Sequence, residues 1–131
     1  MLVDDDQDDN YFHRIIIDEM NITERVEVIS SGIQALDFLK KEGNIWPDII
    51  FLDINMPRMS GWEFIEAYKE LVAVQKEKVI VVMLTTSENP EDKKRKEQYS
   101  EIAEFNTKPL TEELLGKILA EYFSDLGHEG N

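Results

Sequence analysis

Acidic residues follow two apolar segments of this chain at the point where each segment ends. Residues 1–3 are apolar and precede three aspartates at 4–6, and the apolar residues 49–52 precede Asp53. If the two segments are neighbouring strands of a parallel sheet, their carboxylates meet at its C-terminal edge, where open α/β sheets bind ligands. Hard oxygen ligands suit Mg²⁺ or Mn²⁺ better than zinc, which prefers nitrogen and sulfur. The pattern therefore predicts a divalent cation site that receives an anionic group.

The spacing of the apolar residues alternates along the chain between that of a strand and that of a helix. The predicted strands cover residues 1–3, 25–29, 49–52, 79–84 and 103–107, and the predicted helices lie near residues 12–20, 33–39, 62–72, 90–99 and 111–123. This alternation is typical of a doubly wound α/β domain. We expect a flavodoxin-like, five-stranded parallel sheet in the order 2-1-3-4-5 with five helices. That order makes the first and third strands neighbours and brings Asp4, Asp5 and Asp53 together.

The chain length predicts a single domain. Its 131 residues match the usual size of one globular unit. We expect this domain to cover residues 1–126 and residues 127–131 to form a disordered tail. The first strand has only three residues, although a central strand usually has about five. We therefore expect either that the chain is clipped at its N-terminus or that residues of the first strand are absent from it, and the site should survive in both cases.

The composition excludes several classes of function. The chain has 14 basic and 28 acidic residues, a formal charge of −14, and no cysteine. Such a charge repels nucleic acid and anionic lipid, so DNA binding by this domain alone is not expected. The absence of cysteine excludes disulfides, thiol catalysis and thiolate metal sites. No apolar run approaches the length of about 20 residues that spans a bilayer, and no signal peptide opens the chain, so we expect a cytoplasmic protein without membrane contact.

Four short motifs fall, in order, at the ends of predicted strands. They are Val3-Asp4-Asp5, Leu52-Asp53-Ile54-Asn55-Met56-Pro57 through Gly61, Leu84-Thr85-Thr86-Ser87, and Thr107-Lys108-Pro109-Leu110. Together they give essentially the whole chain a resemblance to the receiver domain of response regulators in two-component signalling. The resemblance implies that Asp53 accepts a phosphoryl group from a histidine kinase or a histidine phosphotransfer protein. It also implies a conformational switch that controls an unknown downstream protein, and no enzymatic activity beyond the domain's own phosphorylation and dephosphorylation.

The chemistry of an aspartyl phosphate assigns roles to the acidic residues. A carboxylate attacks phosphorus only if a cation offsets its repulsion of the phosphoryl oxygens. We expect Asp5 to bind Mg²⁺ or Mn²⁺ directly and Asp4 to bind through a water molecule. Asp53 would add a carboxylate oxygen and Asn55 its backbone carbonyl, which leaves positions for water and phosphate.

Two further residues are predicted to contact the phosphoryl group. Lys108 offers a flexible positive charge to one phosphoryl oxygen, and Thr85 offers a hydroxyl donor to another. By resemblance, Phe105 stands where the family commonly has an aromatic side chain that turns inward as the threonine moves. Thr85 and Phe105 are therefore the predicted switch residues, although phenylalanine has no hydroxyl to donate.

Other interpretations of these residues stay open. The acidic run could be helix N-terminal acid, with Asp8 and Asp9 in the first turn, and this interpretation suits Asp6 better than a metal role. A small-molecule phosphohydrolase that forms an aspartyl phosphate is a rival, but the haloacid dehalogenase type has a second aspartate where this chain has Asn55. A degenerate receiver used only as a scaffold is the third possibility. His13 and His128 are not expected to be phosphorylated or to bind metal.

The fourth predicted helix differs from the others because it contains few apolar residues. Its run at positions 93–96 is Lys-Lys-Arg-Lys, so we expect it to be the least well packed and the most mobile element. The face formed by this helix, the fifth strand and the fifth helix is the predicted output surface. It would bind a partner or form a homodimer after phosphorylation.

Overall fold

The five predicted strands form one parallel sheet in the predicted order, β2-β1-β3-β4-β5. The computed structural model describes residues 1–75, 78–86 and 89–123. The strands are β1 (Leu2–Val3), β2 (Val28–Ile29), β3 (Ile49–Asp53), β4 (Ile80–Thr85) and β5 (Ile102–Thr107). The helices are α1 (Gln7–Met20), α2 (Gly32–Lys40), α3 (Gly61–Gln75), α4 (Pro90–Lys96) and α5 (Glu112–Tyr122). The predicted tail at 127–131, with His128, lies outside the described residues.

Alternation along the central strands divides the core between the two faces of the sheet. In β4, Val81 and Met83 face one hydrophobic cluster, and Val82 and Leu84 face the other. Buried side chains of α2 and α3 complete the first cluster, and those of α1 and α5 complete the second. Strands covered on both faces need continuous apolar runs, which explains why β3 and β4 are readily recognised in the sequence.

The edge strand β2 is shorter than predicted. The alternating pattern predicts a strand over residues 25–29, but only Val28 and Ile29 pair, opposite Leu2 and Val3 of β1. An edge strand has a single neighbour, so the two residues of β1 limit the ladder that β2 forms. Val28 keeps 40% of its surface exposed, as an edge position allows.

Helix α4 is also shorter than predicted, and the chain after it turns into the core. The helix ends at Lys96 rather than near residue 99, and Tyr99 is buried in the cluster that packs on α2 and α3. None of its seven residues is buried, as its composition predicts. Asn89 caps the helix by accepting the Glu91 N–H at 2.9 Å, with Pro90 in the first turn.

Within the described part of the chain, every helix is too short or too polar to cross a bilayer.

Candidate functional site

Three aspartates meet at the C-terminal edge of the sheet. Asp4 follows β1 directly and Asp53 is the last residue of β3, and these strands are paired neighbours. One oxygen each from Asp4, Asp5 and Asp53 lie within 4.8 Å of one another. Asp4 and Asp53 are buried whereas Asp5 is exposed. The arrangement offers convergent oxygens of the kind that hold Mg²⁺ or Mn²⁺, with one open side.

Lys108 lies directly after β5 and reaches into this cluster. Its Nζ donates to Asp4 Oδ2 at 2.7 Å and to Asp9 Oδ2 at 2.7 Å, and it lies 3.4 Å from Asp53 Oδ1. The peptide bond that joins Lys108 to Pro109 is cis. Burial alone would lower the pKa of Lys108, but the hydrogen bonds to Asp4 and Asp9 outweigh it and raise the pKa above its usual value. Lys108 is therefore a charged ammonium at any physiological pH.

Asp53 is less acidic than an exposed aspartate. Burial raises the pKa of its carboxyl to about 6, and the nearby charge of Asp4 adds to this effect. Lys108 opposes the rise through its charge and a hydrogen bond, but does not cancel it. A cation that entered the cluster would offset the same repulsion and favour the ionised form of Asp53.

Thr85 closes the site on the side of β4. It is the last residue of that strand, is 1% exposed, and its carbonyl accepts the Lys108 N–H at 2.7 Å. Thr85 follows Met83 by two positions and so faces the same side of the sheet. Phe105 pairs with Met83 across β4 and β5 and packs, partly buried, against the same cluster. The two predicted switch residues therefore lie near one another on one sheet face.

The loop after Asp53 is held tightly against the start of α3. The Gly61 N–H donates to the Ile54 carbonyl at 2.7 Å. A Cβ at position 61 would lie 2.6 Å from the Asp53 carbonyl oxygen and 2.9 Å from Ile54 Cα, so only glycine fits. Asn55 lies in this loop, next but one to Asp53, and its backbone carbonyl as a metal ligand stays a prediction.

Asp6 has a structural role. It is the N-cap of α1, and its Oδ1 accepts the backbone N–H groups of Asp8 at 2.9 Å and Asp9 at 3.1 Å. It is not part of the three-carboxylate cluster among the described residues. The helix-cap interpretation of Asp6 is therefore the one that the contacts support.

Asp9 also belongs to this site, although its position in the sequence predicts only helix N-terminal acid. The spacing from the Asp6 cap places it at the third helical position. Its carboxylate instead binds the site lysine. Asn10 and His13 continue this face of α1, and both are buried. Asn10 Nδ2 donates to the Asp4 carbonyl at 2.8 Å, and burial lowers the pKa of His13.

Comparison with known proteins places the fold and the motifs in one family. The family model described as the response regulator receiver domain matches residues 1–120. A two-component response regulator from Cytophaga hutchinsonii superposes with a TM-score of 0.86 at 32% identity, over 94% of each chain. A response regulator receiver protein from Dyadobacter fermentans superposes with a TM-score of 0.81 at 28% identity, over 93% of this chain and 94% of that one.

Two curated relatives are longer than this chain. The response regulator Rcp1 of Synechocystis is 28% identical over 70% of this chain and 64% of its own length. A protein-glutamate methylesterase/protein-glutamine glutaminase of Halalkalibacterium halodurans is 36% identical over 65% of this chain, but the match covers only 24% of that protein. The region in common is thus a part of each relative. The family match, the sheet order and the strand-end motifs agree: this chain belongs to the response regulator receiver domain family.

Proposed function

We propose that this domain is a phosphorylation-controlled switch whose phosphoacceptor is Asp53. The donor would be a histidine kinase or a histidine phosphotransfer protein in the cytoplasm. The observation that carries the proposal is the meeting of Asp4, Asp5 and Asp53 within 4.8 Å, with Lys108 Nζ 3.4 Å from Asp53 Oδ1. A structural ion pair does not need three carboxylates around one ammonium, whereas phosphoryl transfer needs both a cation site and a lysine.

The donor set fits a hard divalent cation. Asp5 and Asp53 would bind it directly, Asp4 through a water molecule, and Asn55 through its backbone carbonyl. Such a cation, when bound, neutralises the negative charge that develops between the carboxylate and the phosphoryl oxygens. Rcp1, a relative of this chain, has been crystallised in a Mn²⁺-bound form. We propose Mg²⁺ or Mn²⁺ for this domain on the chemistry of its oxygen ligands.

The transfer step uses the Asp53 carboxylate as the nucleophile. One carboxylate oxygen forms a bond to phosphorus while the bond from phosphorus to the donor's imidazole nitrogen breaks, and the electron pair stays on the imidazole. With a pKa of about 6, Asp53 is mostly ionised at neutral pH before any cation binds. The Lys108 ammonium then pairs with one phosphoryl oxygen and the Thr85 hydroxyl donates to another.

The output step begins at Thr85 and Lys108. Both lie at the ends of the strands that flank α4, and the backbone hydrogen bond between them couples their movements. Movement of Thr85 toward the phosphoryl group opens space on the face where Phe105 packs, so its ring turns inward. We propose that this changes the α4, β5 and α5 face, which then binds a partner protein or a second copy of the domain.

Two alternatives give different experimental results. A phosphohydrolase of small molecules would release phosphate from its substrate over many turnovers, but Asn55 stands where the haloacid dehalogenase type has its acid/base aspartate. A degenerate scaffold would not be phosphorylated at all. The presence of Asp5, Asp53, Thr85 and Lys108 argues against the scaffold.

Phosphorylation by acetyl phosphate with Mg²⁺ tests the proposal. Intact-mass analysis should show one added phosphoryl group on the wild type and none on Asp53→Asn, because only Asp53 adjoins both the cation ligands and Lys108. Asp37→Asn, a change of the same kind on the exposed side of α2, is the matched control and should be phosphorylated normally. A phosphoryl group that persists in Asp53→Asn would refute the assignment.

A further inference from the structure

Three carboxylates share the single ammonium of Lys108. Its Nζ lies 2.7 Å from Asp4 Oδ2, 2.7 Å from Asp9 Oδ2 and 3.4 Å from Asp53 Oδ1. An ammonium group has three N–H donors. The two short contacts, to Asp4 and Asp9, are hydrogen bonds, whereas the contact with Asp53 is a longer ion pair. A phosphoryl group on Asp53 would lie on the side of the longer contact, so the ammonium must move away from Asp4 or Asp9 to reach a phosphoryl oxygen.

Asp4 and Asp9 differ in how readily they can give up their contact with Lys108. The Asp4 side chain is 6% exposed, its Oδ1 accepts the Asp6 N–H at 2.9 Å, and its backbone carbonyl is held by Asn10. The Asp9 side chain is 32% exposed on the first turn of α1. Loss of the ammonium would leave a buried charge at Asp4, whereas water can solvate Asp9. Separating Lys108 from Asp9 therefore costs less free energy than separating it from Asp4.

We propose that Asp9 is a positioning residue that competes with the phosphoryl group for Lys108. In the unphosphorylated domain it holds the ammonium at the α1 side of the site. On phosphorylation Lys108 exchanges Asp9 for a phosphoryl oxygen and keeps Asp4. Asp9 therefore weakens phosphoryl binding at Asp53, both by occupying a lysine donor and by adding negative charge where the anion enters. This inference rests on the proposed function.

Beryllofluoride, a mimic of the phosphoryl group, provides the test. Its dissociation constant is measured by calorimetry at saturating Mg²⁺ for the wild type and for Asp9→Asn. Freeing the lysine donor should tighten binding about 10- to 20-fold, the lower end of the scale of one charge-assisted hydrogen bond. A residue that only supported the lysine in a productive position would give the opposite result, namely weaker binding.

Variants of the same helical turn separate the competition from general effects. Asp8→Asn removes the same charge from an exposed neighbouring position and should change the dissociation constant by less than about twofold, since surface charges are screened. Asp9→Glu keeps the charge and should bind beryllofluoride as the wild type does. In a Lys108→Ala background, Asp9→Asn should tighten binding clearly less than it does in the wild type, because only the effect of the Asp9 charge remains.

The outcomes distinguish this inference from the proposed function. Weaker or unchanged binding in Asp9→Asn, with normal binding in the wild type, overturns the competition and leaves the phosphoacceptor assignment in place. An equal gain in Asp8→Asn also overturns it, since the effect would then be one of net charge. Failure of the wild type to bind beryllofluoride with Mg²⁺ overturns the proposed function and this inference with it.

Discussion

At the scale of single residues, Asp53 works against the stability of the domain. Burial and the charge of Asp4 raise its pKa from 3.8 to about 6, so the folded protein binds a proton more tightly than the unfolded chain does. The stabilising proton is fully bound below a pH of about 4 and is lost as the pH rises through about 6. At neutral pH the metal-free domain therefore carries the whole cost of an ionised, buried carboxylate.

Replacement of Asp53 by asparagine should remove that cost. In EDTA at pH 7.5, Asp53→Asn should raise the free energy of unfolding by about 1 to 3 kcal/mol, the equivalent of the pKa shift less the lost contact with Lys108. The gain should shrink as the pH falls from 6 to 4, because wild-type Asp53 then becomes neutral. Urea unfolding at pH 7.5 and 4.5 measures both values, with Asp37→Asn as control. A variant that is less stable than the wild type at pH 7.5 would contradict this account.

Most residues of the candidate site could be found from the sequence because they stand at strand ends. Asp4, Asp53, Thr85 and Lys108 each follow or end a strand, and the parallel order of the strands brings such positions to one edge. Asp9 could not be found in this way. Which carboxylate the flexible Lys108 side chain reaches depends on the packing of α1, and the sequence pattern contains no information on that geometry.

At the scale of secondary structure, α4 is held by side-chain contacts with α3 rather than by buried residues of its own. Trp62 Nε1 donates to Asp92 Oδ1 at 3.1 Å, and the Arg95 guanidinium lies 5.0 Å from the centre of the Trp62 ring. The Trp62 ring also stacks on Tyr99, with centroids 5.8 Å apart. Trp62 is thus the common point of the α3–α4 contact. Such partly exposed contacts are worth about 0.5 to 1 kcal/mol each, so α4 is held but can be displaced.

Weakening the α3–α4 contact should loosen α4 without unfolding the domain. Arg95→Ala should lower hydrogen-exchange protection in residues 90–96 while the global free energy of unfolding falls by less than about 1 kcal/mol. Lys94→Ala, an exposed cation of the same helix, is the control. If the output step is correct, beryllofluoride with Mg²⁺ should also change protection in the wild type across residues 89–110. Changes confined to the acidic pocket would refute the switch while leaving the phosphoacceptor assignment untouched.

The bounds of β2 and α4 were the hardest to predict, because neither element contributes a buried residue to the core. The strands β3 and β4 were predicted to within one residue because both of their faces are covered. The length of β2 is set by the two residues of β1 with which it pairs. This pairing is a tertiary contact, which the alternation of apolar and charged residues in the sequence cannot predict. For α4 the predicted end near residue 99 was wrong because Tyr99 leaves the helix to join the core.

At the scale of the whole molecule, charge repulsion is the main feature of the metal-free state. The chain carries a formal charge of −14, and three of its carboxylates converge within 4.8 Å, two of them paired with Lys108. A cation that binds only the folded site relieves this repulsion and shifts the folding equilibrium.

Mg²⁺ should therefore stabilise the domain through this site. At ten times its dissociation constant it should add about 1.4 kcal/mol and raise the melting temperature by roughly 3 to 6 °C. Asp5→Ala should lose most of this rise, because Asp5 is the exposed carboxylate of the cluster and the proposed direct ligand. Sodium chloride at matched ionic strength controls for general screening. An undiminished response in Asp5→Ala would mean that the cation binds elsewhere.

The close approach at Gly61 limits the directions in which a shift at the proposed phosphorylation site could be transmitted. With no side chain between them, the start of α3 packs directly on the end of β3, and the Gly61 N–H is bonded to the Ile54 carbonyl. Under the proposed function, a shift at Asp53 would therefore pass through the ends of β4 and β5, and α4 would move relative to α3. A glycine at position 61 would thus keep α3 in place while the neighbouring elements respond.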